Sequence, residues 1–275
     1  MKDDDIRKAV REGYGRIAEQ NDSCCGTEVR GSSCCGPETS CGCGSSTNTF
    51  SKVMGYTDSE LGAIPEGANL GLGCGNPTAL ASLKEGEVVL DLGSGAGIDC
   101  FLAADAVGKA GKVIGVDMTP AMLEKARENA RKGAFGNVEF RLGEIEHMPV
   151  ADNSIDVIIS NCVINLSPDK QQVFSEAYRV LKTNGRIMVS DIVLLKELPD
   201  NIKSSMDAYV GCVAGAETKE NYLAVIESAG FTDIKIVGEL STKGMWNSAA
   251  NADADQVIDT ITSSISSIKV SATKP

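Results

Sequence analysis

The strongest constraint on the fold is a regular alternation of short β-branched runs and helical stretches that begins at residue 87. EVVLDLG, KVIGVDM and VEFRLGE have the composition of buried strands, and the segments between them have the apolar spacing of helices. IDVIISNC is an almost continuous apolar run, which is typical of a central parallel strand because both of its faces are covered. Three later segments are also predicted strands, which brings the total to seven: GRIMVSDIV, FTDIKIVGEL and SISSIKVSATKP. The pattern predicts an α/β fold with a mostly parallel, seven-stranded sheet and helices on both faces.

The glycine-rich turn DLGSGAG, residues 91–97, closes the first predicted strand and opens a helix. Its glycines allow a tight turn in which backbone N–H groups approach a ligand. Asp117 ends the second strand, where an acidic residue in doubly wound folds accepts hydrogen bonds from ribose hydroxyls. The P-loop motif is absent, and the acid at position 91 disfavours a pyrophosphate. The turn and Asp117 together predict a nucleoside-bearing cofactor that carries a positive amine or sulfonium group.

The charge balance and the start of the chain limit the classes of partner. A formal net charge of −12 would repel nucleic acid, whose binding depends on neutralising phosphates. No apolar run approaches the roughly 18–20 residues that a membrane span needs. The start MKDDDIRKAV is acidic where a secretory signal would be basic and then apolar. We therefore expect a cytoplasmic protein that binds neither nucleic acid nor membrane.

Six of the ten cysteines crowd into residues 21–46, at positions 24, 25, 34, 35, 41 and 43. This part of the chain has no helical or strand period and few large apolar side chains, so we predict a flexible segment over residues 21–49 after a helix over residues 1–20. Dense cysteines in a reducing compartment favour metal or redox chemistry over disulfides. The spacings do not reproduce paired C-x-x-C knuckles, and no structural metal is predicted.

The order of EVVLDLGSGAG, GVDM, RLGEIEHMPVADNSIDVIIS and YRVLKTNGRIMVSD resembles that of the class I S-adenosylmethionine-dependent methyltransferases, which have a Rossmann-like fold. The resemblance implies that residues 50–240 form the methyltransferase domain, that residues 241–275 are an addition, and that the cofactor is S-adenosyl-L-methionine. It implies a set of cofactor-binding residues. These are Asp91, Gly93, Ser94, Gly95 and Gly97 at the methionine end, Asp117 and Met118 at ribose and adenine, Glu144 and Ile145 beside the adenine, and Asn161 at the pocket floor.

Outside the cluster, three solitary cysteines point to an unusual acceptor. Cys162 follows the fourth strand and Cys212 lies in the insert after the fifth, so both belong to the edge of the sheet where ligands bind. Cys74 can join them if the glycine-rich approach to the first strand folds over the pocket. The only histidine, His147, lies in a loop, which leaves few groups to remove a proton from an O–H or N–H acceptor. Three converging thiolates suit a soft, thiophilic centre such as trivalent arsenic.

At this point the resemblance narrows, because IPEGANLGLGCGNP, DLGSGAGIDC, ISNCVINLSPDKQQVFSEAYRVLK and YVGC closely match the arsenite S-adenosylmethionine methyltransferases. The match implies that Cys74, Cys162 and Cys212 are the catalytic arsenite ligands, bound as thiolates. Arsenic would attack the methyl carbon, leaving S-adenosylhomocysteine and a pentavalent product that thiols reduce. Cys41 and Cys43 are candidate redox thiols, being closest in sequence to Cys74.

The implied substrate is arsenite or its thiol conjugate, the implied reductant is thioredoxin or a small thiol, and we expect a monomer. Two other functions stay open at the level of the sequence. One is a methyltransferase for a small organic thiol, carboxylate or quinone, in which the cysteines only pack. The other is a metal-buffering or metal-sensing protein built around the N-terminal cysteine cluster.

Overall fold

The alternation of strands and helices is present in the structure, a computed structural model that describes residues 2–20, 43–241 and 261–275. The strands are β1 (Val88–Leu92), β2 (Lys112–Asp117), β3 (Val138–Leu142), β4 (Ile155–Asn161), β5 (Leu181–Leu194), β6 (Thr232–Ser241) and β7 (Ile265–Thr273). The helices are α1 (Asp3–Gln20), α2 (Cys43–Val53), α3 (Asp58–Ala63), α4 (Pro77–Leu80), α5 (Ile98–Val107), α6 (Pro120–Lys132), α7 (Lys170–Val180), α8 (Asp200–Lys203), α9 (Met206–Val210) and α10 (Lys219–Ser228). A short 3-10 turn, Ile164–Leu166, follows β4.

The seven strands form one sheet in the order β3-β2-β1-β4-β5-β7-β6. β1 to β5 pair in parallel, and β7 is antiparallel to both β5 and β6. The last strand of the chain is therefore inserted between β5 and β6. This arrangement confirms the predicted class I methyltransferase fold with its mostly parallel sheet.

Two apolar cores cover the two faces of the sheet. One joins the sheet to α7 and α10, with Phe174 and Tyr222 among its largest fully buried side chains. The other joins the sheet to α5 and α6 through Phe101 and Leu123. β4 contributes Ile158 to the first core and other residues to the second, which explains its continuous apolar sequence.

The N-terminal helix α1 lies within the helix predicted over residues 1–20 and contacts several distant elements. It has 18 residues and packs on α6, α9 and the 3-10 turn. Ile6 and Val10 are buried in a third apolar cluster together with residues that follow β4 and β5. At its far end, Lys125 donates a hydrogen bond of 3.3 Å from Nζ to the carbonyl oxygen of Ala18. α1 therefore covers the edge of the sheet where the strands end.

The approach to β1 contains a capping box at the start of α3. The Thr57 hydroxyl accepts a hydrogen bond of 3.2 Å from the Glu60 backbone N–H, and the Glu60 carboxylate accepts one of 2.7 Å from the Thr57 N–H. These reciprocal bonds satisfy two donors that the helix start would leave open. α2 begins at Cys43, inside the segment predicted to be flexible over residues 21–49. Among the helices that the structure describes, none is both long and apolar enough to cross a membrane.

The inserted strand β7 provides a direct test of the fold. Ile268 is fully buried at 0% exposure, and Ile268→Ala should lower the free energy of unfolding by about 2–5 kcal/mol through lost burial and the cavity that remains. Ile236, on the neighbouring β6, is 38% exposed and is the matched control, since Ile236→Ala should change that free energy much less. Urea unfolding followed by circular dichroism measures both. Equal losses in the two variants would contradict the placement of β7 inside the sheet.

Candidate functional site

The turn after β1 has the backbone conformation that glycine makes accessible. Gly93, Gly95 and Gly97 have φ angles of 65°, 51° and 100°, in the left-handed region. A Cβ atom at Gly93 would lie 2.3 Å from Val163, so this position has no room for a side chain. At Gly95 nothing lies within 4 Å of such an atom. The turn therefore presents open backbone to the space above the sheet, as a ligand-binding turn requires.

A cleft opens above this turn, between the ends of β1, β2 and β4 and the helix α1. Most of the predicted cofactor residues line it. They are Asp91, Gly93, Ser94, Gly95, Asp117, Met118, Ile145 and Asn161. Gly97 and Glu144 are absent from the lining of this cleft. Gly97 instead packs against Phe101 at the start of α5, and Glu144 pairs with α1.

Acidic side chains give the cleft a negative character: three aspartates line it in addition to Glu146, which pairs with Arg7. Asp91, Asp99 and Asp117 all line it, and Asp91 and Asp99 are buried. Burial raises the pKa of Asp91 well above its usual range, and the carboxylate of Asp99 raises it further. The hydrogen bond that steadies Asp91 comes from the Cys100 thiol, 3.2 Å from Oδ2. Since no lysine or arginine pairs with Asp91 among the ion pairs of the described residues, this part of the cleft favours a cationic ligand.

Asp117 is held at the end of β2 by the backbone. Its Oδ2 accepts a hydrogen bond of 2.9 Å from the Gly95 N–H, and its Oδ1 accepts one of 2.8 Å from the Thr119 N–H. Each carboxylate oxygen keeps a further lone pair, which leaves acceptor capacity for ligand hydroxyls. Nearby, the buried hydroxyl of Ser94 has no hydrogen-bond partner within the described part of the chain. Both features fit a polar ligand at this end of the cleft.

Asn161, at the end of β4, connects the cleft to the loop that carries Cys74. Its Nδ2 donates to the Tyr56 hydroxyl at 2.9 Å and to Asp99 Oδ2 at 3.0 Å, and also to the carbonyl oxygen of Gly75 at 2.8 Å. Its Oδ1 accepts a hydrogen bond of 2.9 Å from the Cys74 N–H. One amide side chain therefore fixes the Cys74 backbone relative to the acids of the cleft.

The three solitary cysteines come together beside the cleft. Cys74, Cys162 and Cys212 are free and buried, and they share one apolar cluster. The Cys212 thiol donates a hydrogen bond of 3.0 Å to the carbonyl oxygen of Cys162. The Cys74 thiol donates one of 3.4 Å to the carbonyl oxygen of Ser190, which also accepts a bond of 2.8 Å from the Cys162 N–H. Ser267, on β7, donates 2.7 Å to the Cys74 carbonyl oxygen.

The surroundings of Cys162 and Cys74 disfavour the charged form of their thiols. Hydrogen bonds with the Cys212 and Cys74 thiols, and then burial, raise the pKa of Cys162 well above its ordinary value. Burial likewise raises the pKa of Cys74. Both effects oppose formation of the thiolates that the sequence-based resemblance implies as the arsenic-binding form. With two thiols directed at carbonyl oxygens, the described residues contain no cluster of three or more Cys, His, Asp or Glu side chains arranged to hold a metal ion.

Two of the three cysteines have an uncommon backbone conformation. Cys162 has a φ angle of 60° and Cys212 one of 62°, both in the left-handed region that a side chain with a Cβ atom seldom adopts. Such conformations cluster at functional sites, where surrounding contacts maintain them. The conformation aims both residues away from the regular course of β4 and α9. No sequence pattern signals it.

The sequence-based prediction missed many residues that line the cleft. Among those with polar side chains are Arg7, Tyr14, Tyr56 and Asp99. Tyr56 donates a hydrogen bond of 2.8 Å to Asp99. Arg7, on α1, lies 3.5 Å from Glu144 and 3.3 Å from Glu146. The candidate redox thiol Cys41 lies outside the described residues, as does the side chain of Cys43.

The family model for a methyltransferase domain matches residues 83–230. Together with the strand order and the acidic cleft, this match places the chain in the class I S-adenosylmethionine-dependent methyltransferases. An arsenic(III) S-adenosylmethionine methyltransferase from Chlamydomonas reinhardtii has a similar structure, with a TM-score of 0.60 and 34% identity. That similarity covers 82% of this chain and 72% of the other.

Two curated relatives indicate which family of methyltransferases the chain belongs to. The arsenite methyltransferase of Halobacterium salinarum is 50% identical over 237 residues, which cover 85% of this chain and 59% of the relative. The arsenite methyltransferase of Aquipseudomonas alcaligenes is 37% identical over 240 residues, which cover 84% of this chain and 64% of the relative. This chain belongs to the arsenite methyltransferase family. It spans less than two thirds of the length of these two relatives.

The connection through Asn161 can be tested separately from its contribution to stability. Asn161→Ala should lower the free energy of unfolding by about 1–3 kcal/mol, because it leaves buried partners unsatisfied. It should also weaken cofactor binding, measured by calorimetry, because Asp99 and the Cys74 loop lose their common support. Asn137 is the matched control, since its amide donates to the carbonyl oxygens of Ala104 and Gly108, away from the cleft. An Asn161→Ala protein that binds cofactor as tightly as Asn137→Ala would refute this role.

Proposed function

We propose that this protein transfers methyl groups from S-adenosylmethionine to trivalent arsenic that is held by Cys74, Cys162 and Cys212, as a step in detoxification. The observation that carries the proposal is the position of Cys162. Its side chain lines the cofactor cleft and at the same time shares a buried cluster with the other two cysteines. An acceptor bound to these sulfurs would therefore lie next to the cofactor, and such proximity supplies much of the acceleration in a displacement reaction.

The cleft fits S-adenosylmethionine by the chemistry of its donors. Asp91 is a buried carboxylate without a cationic partner among the described residues, and the cofactor carries both an ammonium group and a sulfonium group. Asp117 keeps acceptor capacity for the ribose hydroxyls, and Met118 and Ile145 offer apolar surface to the adenine. When bound, S-adenosylmethionine supplies an electrophilic methyl group that passes to a nucleophile with a lone pair. Gly97 and Glu144 act indirectly, by shaping the turn and by holding α1.

The raised pKa values of Cys74 and Cys162 suit the neutral form of arsenite. In each exchange one arsenic–oxygen bond breaks and one arsenic–sulfur bond forms. The thiol proton leaves with the hydroxide as water, so the exchange needs no separate base. Forming these bonds removes the S–H groups that now point at the carbonyl oxygens of Cys162 and Ser190. The sulfurs are then free to turn toward a common centre.

A reductant is required by the electron balance. Methylation converts the arsenic lone pair into a carbon–arsenic bond, so the product is pentavalent. Two electrons, from two thiols that form a disulfide, return the arsenic to the trivalent state. We propose that N-terminal cysteines, with Cys41 and Cys43 as candidates, and then thioredoxin or a small thiol, supply them. Keeping so many thiols reduced favours a cytoplasmic setting.

Removing the charge of Asp91 tests the cofactor site. Asp91→Asn keeps the shape of the side chain but loses the charge-assisted bond to the cofactor ammonium, so the Kd for S-adenosylmethionine should rise about 10- to 100-fold. Because burial raises the pKa of Asp91, wild-type affinity should also fall as the pH is lowered, and the variant should lose this dependence. Asp105→Asn, on the exposed side of α5, is the control. Calorimetry across pH measures both effects; an unchanged Kd would contradict the assignment.

Single cysteine variants test the substrate. Cys162→Ser and Cys212→Ser should each abolish methylation of arsenite in the presence of a dithiol reductant, with the arsenic species resolved by chromatography and mass detection. Cys100→Ser is the matched control, because serine can still donate to Asp91, and it should retain most activity.

Three outcomes would count against the proposal. Full activity of Cys162→Ser would exclude the three-sulfur site. Absence of methylated arsenic from the wild-type protein that binds the cofactor would favour a small organic acceptor. Loss of all arsenite binding on deletion of residues 21–46, with cofactor binding unaffected, would favour a metal-buffering protein.

A further inference from the structure

Tyr14 lies where the helix α1 crosses both the cofactor cleft and the cysteine cluster. Its side chain lines the cleft. Its hydroxyl oxygen is 3.8 Å from the Cys212 sulfur and 3.4 Å from the carbonyl oxygen of Val210. One side chain from the start of the chain is therefore in contact with a thiol almost two hundred residues away.

The direction of the hydrogen bond between Tyr14 and Cys212 follows from counting protons. The thiol of Cys212 has one proton, and it donates that proton to the carbonyl oxygen of Cys162 at 3.0 Å. The sulfur is then an acceptor toward Tyr14. Burial raises the pKa of the Tyr14 hydroxyl well above its usual range, and the Cys212 sulfur adds to the rise. The hydroxyl therefore keeps its one proton, which it shares between the carbonyl oxygen of Val210 at 3.4 Å and the Cys212 sulfur at 3.8 Å.

The close approach of α1 to the insert around α9 depends on a glycine. A Cβ atom at Gly13 would lie 2.9 Å from Cγ1 of Val210, which is closer than real Cβ contacts. Gly13 precedes Tyr14, and Val210 ends α9 two residues before Cys212. Because α1 and α9 are in close contact at this point, the Tyr14 hydroxyl lies within reach of the Cys212 sulfur.

Three ion pairs hold α1 in this place from the other side of the cleft. Arg7 pairs with Glu144 and with Glu146, which is buried. Arg11 pairs with Glu144 at 3.5 Å. These contacts follow β3, whereas Tyr14 contacts the insert after β5. The helix is fixed at both ends of the cleft, and Tyr14 acts from a rigid support.

We propose that Tyr14 is a positioning residue for Cys212, which holds the sulfur of this third thiol against the cleft; the role rests on the proposed arsenite site. When Cys212 forms its bond to arsenic, its proton leaves with hydroxide as water, and its hydrogen bond to Cys162 is lost. Tyr14 is then the remaining donor to a sulfur that carries more negative charge, and hydrogen bonds to charged acceptors are the stronger ones. The contact should therefore matter more in the substrate complex than in the free protein.

The test compares Tyr14→Phe, which keeps the ring in the cleft and removes only the hydroxyl, with Tyr209→Phe. Tyr209 lies in the same buried cluster, and its hydroxyl makes no hydrogen bond to the part of the chain that the structure describes. Two quantities are measured. The first is the rate at which iodoacetamide alkylates Cys212 in the free protein at neutral pH, read by peptide mass spectrometry with Cys100 as internal reference. The second is the KM for arsenite beside the Kd for S-adenosylmethionine.

Tyr14→Phe should slow the alkylation of Cys212 about fivefold, because the reacting sulfur loses the hydroxyl that holds it in place, and should raise the KM for arsenite by a similar factor. The Kd for the cofactor should stay within twofold, and Tyr209→Phe should change none of these. An unchanged or faster alkylation of Cys212 would overturn the inference. A cofactor Kd that rises along with the arsenite KM would also overturn it, since it would show a general loss of the cleft. A wild-type protein that fails to methylate arsenite would refute the proposed function and leave the alkylation result standing.

Discussion

The site depends on the hydrogen bonds of one amide at the end of β4. Asn161 ties the backbone of Cys74 to Asp99 and Tyr56, so the thiol loop and the acidic end of the cleft cannot move independently. The geometry is crowded, since a Cβ atom at Gly73 would lie 2.5 Å from the amide nitrogen. An aspartate of the same shape would place a further carboxylate beside Asp99, where like charges repel. An uncharged amide can donate to Asp99 and accept from the Cys74 N–H without adding a negative charge beside Asp99.

Burying the acidic side chains of the cleft lowers the stability of the ligand-free protein. Burying Asp91 and Asp99 side by side disfavours their charged forms, and Asp99 is stabilised by bonds from Asn161, Tyr56 and Thr78. A cation in the cleft would offset this cost, so the free energy of its binding includes relief of the repulsion between the two carboxylates. The glycines of the turn contribute a steric effect: because they have no Cβ atom, a ligand can approach the backbone closely. The site is prepared for a positively charged ligand before it binds one.

The sequence predicted the sheet and most of the cleft because both follow from local rules. Strand periodicity fixes the order of the elements, and residues after parallel strands, such as Asp117 and Asn161, must meet at one edge. The same rules could not find Arg7 or Tyr14, which belong to a helix outside the alternating pattern and contact the site across more than 130 residues of sequence. They also could not find the left-handed conformation of Cys162 and Cys212, because tertiary contacts impose it against the local preference. The resemblance implied that Glu144 contacts the cofactor, whereas in the fold it pairs with α1.

The raised pKa of Cys74 and the place of α1 are connected through burial. α1 supplies part of the apolar cover over the cysteines through Ile6 and Val10, and burial raises the pKa of Cys74. Protonated thiols react slowly with oxidants and alkylating agents, because the thiolate is the nucleophile. Under the proposed function, such thiols would still exchange with a neutral hydroxide of arsenic, since that step releases water and needs no free charge. Burial of the site would therefore slow the oxidation that disables it, while an electrophile that supplies its own base could still react.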